Sequence, residues 1–445
     1  MPAPKTWPCV AAAFLMAVLL PPGTAHADPP PDPAAAAAQW QAGEITPDGG
    51  IPGMVGVDWG LTVDSLIALE ATGVAPQVAQ QITDGLKIHV RDYNSHDAWG
   101  EPGQRIAGAT AKLLYAAVVA GEDPTAFGEY DLRQETLDLV AGPEAGLENG
   151  RVKDHVFEPA RDNSNTFAQS LAVLGLTRSG GVPQNVVDFL IDQQCSVGGF
   201  RLYPYAFGGG AVTGDCDEQG EDVVLDPDST AIAVQALLAA AEFDDAEGAA
   251  DAARKGAEWL AAIQNDDGSV GGSGPTAAAN TNSTGLAGQA LAAAGFTAEA
   301  DAAADWVTQH QLVADTAGAA AADVGAIAYN ATSLAGAQEN GIAQFQRDQW
   351  RRATPQALLA IAQVPMGDIG MTEPVPGEPG GPGDPSVPDD PTGSDDPSSG
   401  TDSGSPQGQL PVTGYPVVTV AAAGMALVVV GLIGLKLARR KENAS

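Results

Sequence analysis

Several stretches of this chain open on a small polar residue and continue as an Ala- and Leu-rich helical run. A chain written in such units folds by stacking them. The clear copies start at Gly60, Ala109, Asn165, Asp228 and Asn282, with a weaker sixth at Asp323-Val324-Gly325-Ala326-Ile327-Ala328. They lie about 50 to 65 residues apart where the pattern is clear, which suits two helices and loops of variable length per unit. Asn, Asp, Ser and Thr at the starts read as N-caps, whose side chains accept from the first free backbone N–H groups. The small residues that follow let helices approach closely. The folded part, about Ala35 to Met366, is long for one ordinary core, so a repeat or barrel architecture comes first.

Each of these helices is followed by a second, more amphipathic one. Val182 to Gln194 carries Val186, Val187, Leu190 and Ile191, and Ala246 to Gln264 sets Ala253, Trp259, Leu260 and Ile263 against Arg254, Lys255 and Glu258. A helix that is apolar all round is buried, whereas one with a polar face borders water. Gly-rich turns close the second helices, most clearly Gln194-Cys195-Ser196-Val197-Gly198-Gly199-Phe200 and Gln264-Asn265-Asp266-Asp267-Gly268-Ser269. Thr46-Pro47-Asp48-Gly49-Gly50 is similar. A Gln closing an outer helix, a Gly-rich turn and a D/N-x-T-A start resemble the repeat of prenyltransferases and squalene cyclases. That resemblance covers most of Ala35 to Met366. It implies an all-α fold, an α/α-toroid of about six inner–outer helix pairs around one central cavity.

The two ends carry addresses. Lys5, an apolar stretch from Val10 to Leu20, the break at Pro21-Pro22-Gly23 and Ala25-His26-Ala27 form the pattern of a signal peptide, residues 1–27; the apolar core is too short for a finished membrane helix. At the other end Leu410-Pro411-Val412-Thr413-Gly414 precedes an apolar run from Tyr415 to Leu435 and the basic residues Lys436, Arg439, Arg440 and Lys441. The run is long enough for one transmembrane helix, and such a basic cluster stays cytoplasmic. This order resembles the LPxTG sorting signal of wall-anchored surface proteins, as in actinobacteria. The resemblance implies that Leu410, Pro411, Thr413 and Gly414 are read by a sortase. Its cysteine would attack the Thr413 carbonyl and pass the threonine to a peptidoglycan precursor. The expected domains are therefore the toroid with its short lead-in over 28–371, a linker over 372–409 and the sorting signal over 410–445. The linker is Pro, Gly, Ser, Asp and Glu with almost no apolar residue, so it buries no core and extends on the order of 100 Å. The expected location is the outer cell surface, with membrane contact only through the signal peptide and the uncleaved C-terminal helix.

The formal charge of −36 excludes nucleic acid, since displacing phosphate counterions needs Lys and Arg. It keeps a displayed protein soluble without requiring a partner. Once Cys9 leaves with the signal peptide, Cys195 and Cys216 remain, separated by a Gly-rich loop. In an oxidising compartment they most simply form a disulfide, contributing about 3 kcal/mol in the chain-entropy model. His89, His96, His155 and His310 form no ligand spacing with them, so neither a metal nor another cofactor is expected.

Chemistry is tested against the families that share the repeat. Asp226-Pro227-Asp228-Ser229-Thr230-Ala231 matches the DxDD-T-A acid motif of triterpene cyclases except that Ser229 replaces the last Asp. The acid would be Asp228. A cyclase also needs aromatic walls to stabilise carbocations, and aromatics are 5% of the chain. Asp215-Cys216 lacks the Asp-x-Cys spacing of prenyltransferase zinc sites. Asp215-Cys216-Asp217-Glu218-Gln219 lacks the glycines of a complement-type thioester turn, and no Ser-His-Asp triad assembles. Asp228 therefore reads as an N-cap, ionised by the helix N-terminus, whose change to Asn costs about 1 kcal/mol or less and abolishes no reaction. Residues expected at the cavity mouth are Asp58, Trp59, Asp64, Trp99, Tyr203, Tyr205, Asp228, Asp323 and Tyr329. The leading expectation is a wall-anchored protein that displays the toroid for binding or interaction, leaning away from catalysis. The alternative is an extracellular enzyme acting on a lipid, isoprenoid or glycan in the cavity, with Asp228 as acid. A spacer without ligand is the third reading.

Overall fold

The computed structural model describes residues 32–371 with the exception of 55, 98–99, 158–161 and 206–211. Among the described residues there are fourteen α-helices and no strand beyond isolated bridges. In chain order they are α1 Pro33–Gly43, α2 Trp59–Thr72, α3 Pro76–Ile88, α4 Val90–Asn94, α5 Ala107–Val119, α6 Leu132–Asp138 and α7 Thr166–Arg178. They continue as α8 Gln184–Ile191, α9 Pro227–Asp244, α10 Ala249–Ile263, α11 Thr281–Ala293, α12 Thr297–Thr308, α13 Ala331–Asn340 and α14 Arg347–Ala362.

Packing sorts these helices into two rings. α2, α5, α7, α9, α11 and α14 each lie against the next, and α14 returns to α2. α2, α5, α7, α9 and α11 are apolar or small on nearly every side and almost wholly buried, whereas α14 opens on the polar run Arg347-Asp348-Gln349. α1, α3, α6, α8, α10 and α12 lie outside them; α3 and α10 turn one apolar face inward and charged residues outward, whereas α1 carries no charge. The chain adopts an α/α-toroid of six inner and six outer helices.

Local chemistry sets the register of five of the six inner helices. The first apolar residue after each Gly-rich turn donates its N–H to a side-chain oxygen on the following inner helix. The pairs are Ile51 to Thr62 Oγ1 at 2.9 Å, Phe200 to Thr230 at 2.9 Å, Val270 to Thr284 at 2.9 Å and Ile327 to Thr354 at 3.0 Å. On α7 the same place is taken by Gln169, whose Oε1 accepts from Val152 N at 2.8 Å. The Gln residues that end the outer helices staple turn to neighbour. Gln194 Nε2 donates to Gly198 O and Ala252 O, both at 2.8 Å, and Gln264 to Gly268 O and Glu299 O, both at 2.9 Å. Gln311 donates to Gly325 O at 3.0 Å and to Pro33 O at 2.8 Å, which joins the last outer helix to the first.

The weak sixth copy is corrected. Asp323–Ala328 does not start an inner helix; Gly318–Asp323 is a 3₁₀ turn, and the sixth inner helix is α14. Gly325 has φ +102° and so tight an approach to Ala36 O that a Cβ would come within 2.3 Å. The segment is therefore the Gly-rich turn of its unit. Asp323 lies away from the mouth, accepting from Trp40 Nε1 at 3.1 Å and pairing with Arg347 at 2.8 Å. Arg347 and Arg351 also clamp Glu44 at 2.5 and 2.7 Å, so this cluster fastens α1 to α14.

The end of the toroid at the C-termini of the inner helices is plugged by the chain itself. Tyr115 Oη donates to Met366 O at 2.8 Å, Gln289 Nε2 to Val364 O at 2.7 Å and Arg178 Nη1 to Gly367 O at 2.6 Å, while Met366 N donates to Gln235 Oε1 at 3.1 Å. Cys195 and Cys216 are disulfide-bonded, as expected. No helix among the described residues is long and apolar enough to cross a membrane. The signal peptide, the linker and the Leu410, Pro411, Thr413 and Gly414 motif lie outside the described residues.

The ring-closing staple is testable. Gln311→Leu removes the two hydrogen bonds that close the ring, so urea unfolding should show a loss of about 1–3 kcal/mol. An unchanged midpoint would show that the closure does not depend on it.

Candidate functional site at the mouth of the toroid

The shared register makes the inner wall predictable in layers. Two residues beyond each register oxygen lie Asp64, Leu171, Ile232, Leu286 and Gln356; on α5 Lys112 takes the matching place two residues beyond Thr110, and all six line one axial cavity. One helical turn nearer the N-termini lie Gly60, Gly108, Phe167, Asp228, Asn282 and Arg352, which by the i, i+4 rule share the same inward face. The cavity is about 60 Å³, and its deeper wall is Ile67, Pro355, Leu359 and Met366. Leu, Ile and Pro side chains thus fill most of the central space that the toroid resemblance implied.

Asp228 departs from its expected role. The cap of α9 is Asp226, whose side chain accepts from Ser229 N at 2.7 Å. Pro227 takes the first helical position, where its missing N–H costs nothing. Asp228 then falls inside the first turn, with Oδ1 buried and, among the described residues, without a hydrogen-bond partner. Its other oxygen lies beside Gly272, where a Cβ would come within 3.2 Å of it. Burial pushes the Asp228 carboxyl up, the adjacent Asp226 carboxylate adds to the shift, and a hydrogen bond with Ser283 opposes it; the result is about 6. The expectation of an ionised cap with a depressed value is therefore wrong. Desolvation outweighs the helix N-terminus, and the cap position that the helix stabilises belongs to Asp226.

Around this carboxyl the mouth is polar. Ser273 Oγ donates to Asp226 Oδ2 at 2.5 Å. The Tyr329 phenol is raised by burial and then by Asp228, and Tyr329 O accepts from Thr281 N at 3.0 Å, so Tyr329 borders the start of α11. Asn282 Nδ2 donates to Gln356 Oε1 at 2.6 Å and to Arg352 O at 3.0 Å. Arg352 pairs with Asp58 at 2.5 Å and with Asp348 at 2.9 Å. Asp58 also caps α2, accepting from Leu61 N at 2.9 Å. Across the mouth Lys112 pairs with Asp64 at 2.6 Å.

Tyr203 and Tyr205 stack with ring centres 5.4 Å apart, on the loop whose Leu202 O accepts from Thr166 N at the start of α7 at 2.9 Å. Buried Arg201, which donates to Gln193 Oε1 at 3.0 Å, anchors this loop next to the disulfide. Burial pulls its guanidinium down to about 10 against the opposing pull of Asp215. Trp59 belongs elsewhere: it is buried and stacks on His89 at 4.3 Å, in a groove between the first Gly-rich turn and α3. Trp99 lies outside the described residues. Thus Asp58, Asp64, Asp228 and Tyr329 fall on the mouth and the Tyr203–Tyr205 pair beside α7, whereas Trp59 and Asp323 belong to the framework. Asp226, Lys112, Asn282, Ser273, Ser283, Arg352 and Gln356 were not singled out as mouth residues by the sequence. Counting from the register oxygen of each repeat finds Lys112, Asn282, Arg352 and Gln356.

No family model matches the sequence, and no curated protein matches it. Among solved structures, the chain is similar to an alpha-1,6-mannanase from Salegentibacter, at 12% identity over 74% of this chain and 98% of that one, with a TM-score of 0.49. It is similar to a type II terpene cyclase from Scytonema at 16% identity over 74% and 96%, TM-score 0.48. It is also similar to an unsaturated glucuronyl hydrolase from Bacillus at 10% identity over 75% and 94%, TM-score 0.44. The expectation that leaned away from catalysis is corrected here. The similar structures carry enzyme names, and on this chain the cap of α9 is Asp226 and not Asp228.

Because burial raises the folded-state value above the usual ~3.9, ionising Asp228 costs folding free energy. Its contribution is fully favourable below about pH 4 and is lost as pH rises through about 6. Asp228→Asn should accordingly stabilise the fold at pH 7 by about 1–2 kcal/mol, with the gain vanishing near pH 4. Denaturation midpoints at the two pH values check this; a loss of stability at pH 7 would mean the carboxylate is satisfied.

Proposed function

We propose that this chain is an enzyme acting on a carbohydrate held across the mouth of the toroid, with Asp228 as the general acid. The observation that carries this reading is a carboxyl with one buried, unpartnered oxygen, raised to about 6, on the N-terminal rim of the inner ring. Such a group holds its proton up to about pH 6 and passes it to the bridging oxygen of a glycosidic bond as the C–O bond breaks, while a water oxygen bonds to the anomeric carbon and gives up a proton to solvent. Asp226 acts as a positioning residue, holding a like charge against Asp228 at the positive end of α9. Asn282, Gln356, Arg352, Ser273 and Tyr329 supply the donors and acceptors that a polyhydroxylated substrate requires.

The isoprenoid alternative has less support. A cavity of about 60 Å³ holds about two water molecules at ~30 Å³ each, not a folded terpene chain. Phe167 is the one aromatic ring in its described lining, whereas carbocation chemistry needs several.

We further propose that the toroid is displayed on the cell wall through sortase cleavage between Thr413 and Gly414. The support is the ordered motif, apolar run and basic tail at the C-terminus. The partners would be the sortase and a peptidoglycan precursor.

Reducing-end release from a panel of manno-, gluco- and galacto-oligosaccharides tests the chemistry. Wild type should turn over at least one, with a rate that falls as pH rises through about 6. Asp228→Asn should lose at least ~10²-fold in kcat. Asp226→Asn, which keeps a good cap, should move that limb to lower pH because the like charge is gone. Full activity of Asp228→Asn, or turnover of squalene instead of any sugar, would overturn the reading. For anchoring, Thr413→Ala should leave export intact and abolish covalent attachment to purified wall; a variant still bound to wall after boiling in detergent would rule out the sortase route.

A further inference from the structure

On the α2–α5 side of the mouth the layer above the cavity carries no side chain: its two residues are Gly60 and Gly108. A Cβ at Gly60 would press on Tyr93 Oη at 3.1 Å and Asp58 Oδ1 at 3.4 Å, so these two side chains border the opening there. The layer beneath carries the opposite pattern. Four of its six members are Leu171, Ile232, Leu286 and Gln356, and the remaining two are the Asp64–Lys112 ion pair. An ion pair in a ring whose other members are three aliphatic side chains and one amide is costly to desolvate and weak evidence of stability. It remains about one-fifth accessible, with Asp64 at 21% and Lys112 at 17% side-chain exposure. Lys112 has three N–H donors, and the partners it shows are Asp64 at 2.6 Å and Gly60 O at 2.9 Å. Burial pulls the Lys112 ammonium down, but Asp64 and Tyr93 more than compensate and hold it charged.

We infer that the Asp64–Lys112 pair at the floor of this opening is a sugar-binding subsite that takes a vicinal diol of the substrate. An acceptor and a donor side by side match two neighbouring hydroxyls, each of which both donates and accepts. The adjoining cavity of about 60 Å³ accommodates two hydroxyl oxygens in place of two waters. Asp228 stands on α9, and the pair on α2 and α5, so a saccharide lying across the mouth reaches both. The subsite fixes which sugar is held while Asp228 delivers its proton. This inference rests on the carbohydrate reading of the mouth.

Binding without turnover separates the two claims. In the Asp228→Asn full chain, calorimetry with the same oligosaccharides and their monodeoxy analogues should find one that binds. Loss of a single hydroxyl of the recognised diol should weaken it about tenfold. Adding Lys112→Met should lower affinity at least about tenfold and erase the discrimination against the deoxy analogue. Lys112 also ties α5 to α2, so Gly108→Ser serves as a second variant. Its Cβ would meet only the Ala168 Cβ at 3.4 Å, an ordinary contact, and it should block the opening with the pair intact. Equal affinity in Lys112→Met and Gly108→Ser, with folded thermal transitions, would overturn the subsite and leave the acid role of Asp228 standing. Failure of Asp228→Asn to bind any of the saccharides would overturn both.

Discussion

One hydrogen bond, repeated around the ring, sets everything else in this molecule. In each unit that uses it, the backbone N–H that follows the Gly-rich turn is captured by a side-chain oxygen on the next inner helix: Thr62, Gln169, Thr230, Thr284 or Thr354. Each oxygen is buried, so slipping the helix by one residue would strand both donor and acceptor in an apolar wall. That penalty fixes rotation as well as height. It decides which residues of every inner helix point to the axis, and so which chemistry the mouth contains.

The mouth is accordingly divided. From α2 through α14 to α11 the rim is tied up in its own bonds: Asp58 with Arg352, Arg352 with Asp348, Asn282 with Gln356. On α9 the rim holds two carboxyls on either side of one proline. Asp226 receives Ser229 N and Ser273 Oγ, while Asp228 has one oxygen with no described partner. The difference arises from position within a single helical turn. The cap residue faces the free N–H groups, and the residue two places later turns inward with one carboxyl oxygen buried.

Much of the fold was legible because it is written locally. Polar starts, small helical residues and Gln-plus-Gly turns repeat along the chain, and each has a backbone reason. The sixth unit was misplaced because Gly325-Ala326-Ile327 has the composition of a helix start. What it does is fixed by a left-handed glycine against Ala36, far away in the chain. The mouth was less legible. Pro227 at a helix start identifies Asp226 as the cap, a signal present in the sequence, but burial of Asp228 depends on Gly272 and Ser283 from another unit. Lys112 was not singled out, because its partner Asp64 sits on the neighbouring inner helix, and only the packing of α5 against α2 brings them together. The extent of the central cavity could not be read at all, since it depends on how deeply Leu171, Ile232, Leu286 and Leu359 meet.

The plug at Val364–Gly367 gives the toroid a direction. Hydrogen bonds from Tyr115, Arg178 and Gln289, with Gln235 receiving Met366 N, close one end, so the ring is a cup and not a tunnel. A long polymer cannot be threaded through it; whatever the mouth receives must arrive and leave on the same side, and an internal stretch of chain can only be draped over the rim. The described chain also ends beneath that floor, where Gly370 packs against Val119 O at the far end of α5. The last described residue, Met371, therefore lies at the base of the cup, on the side opposite the opening.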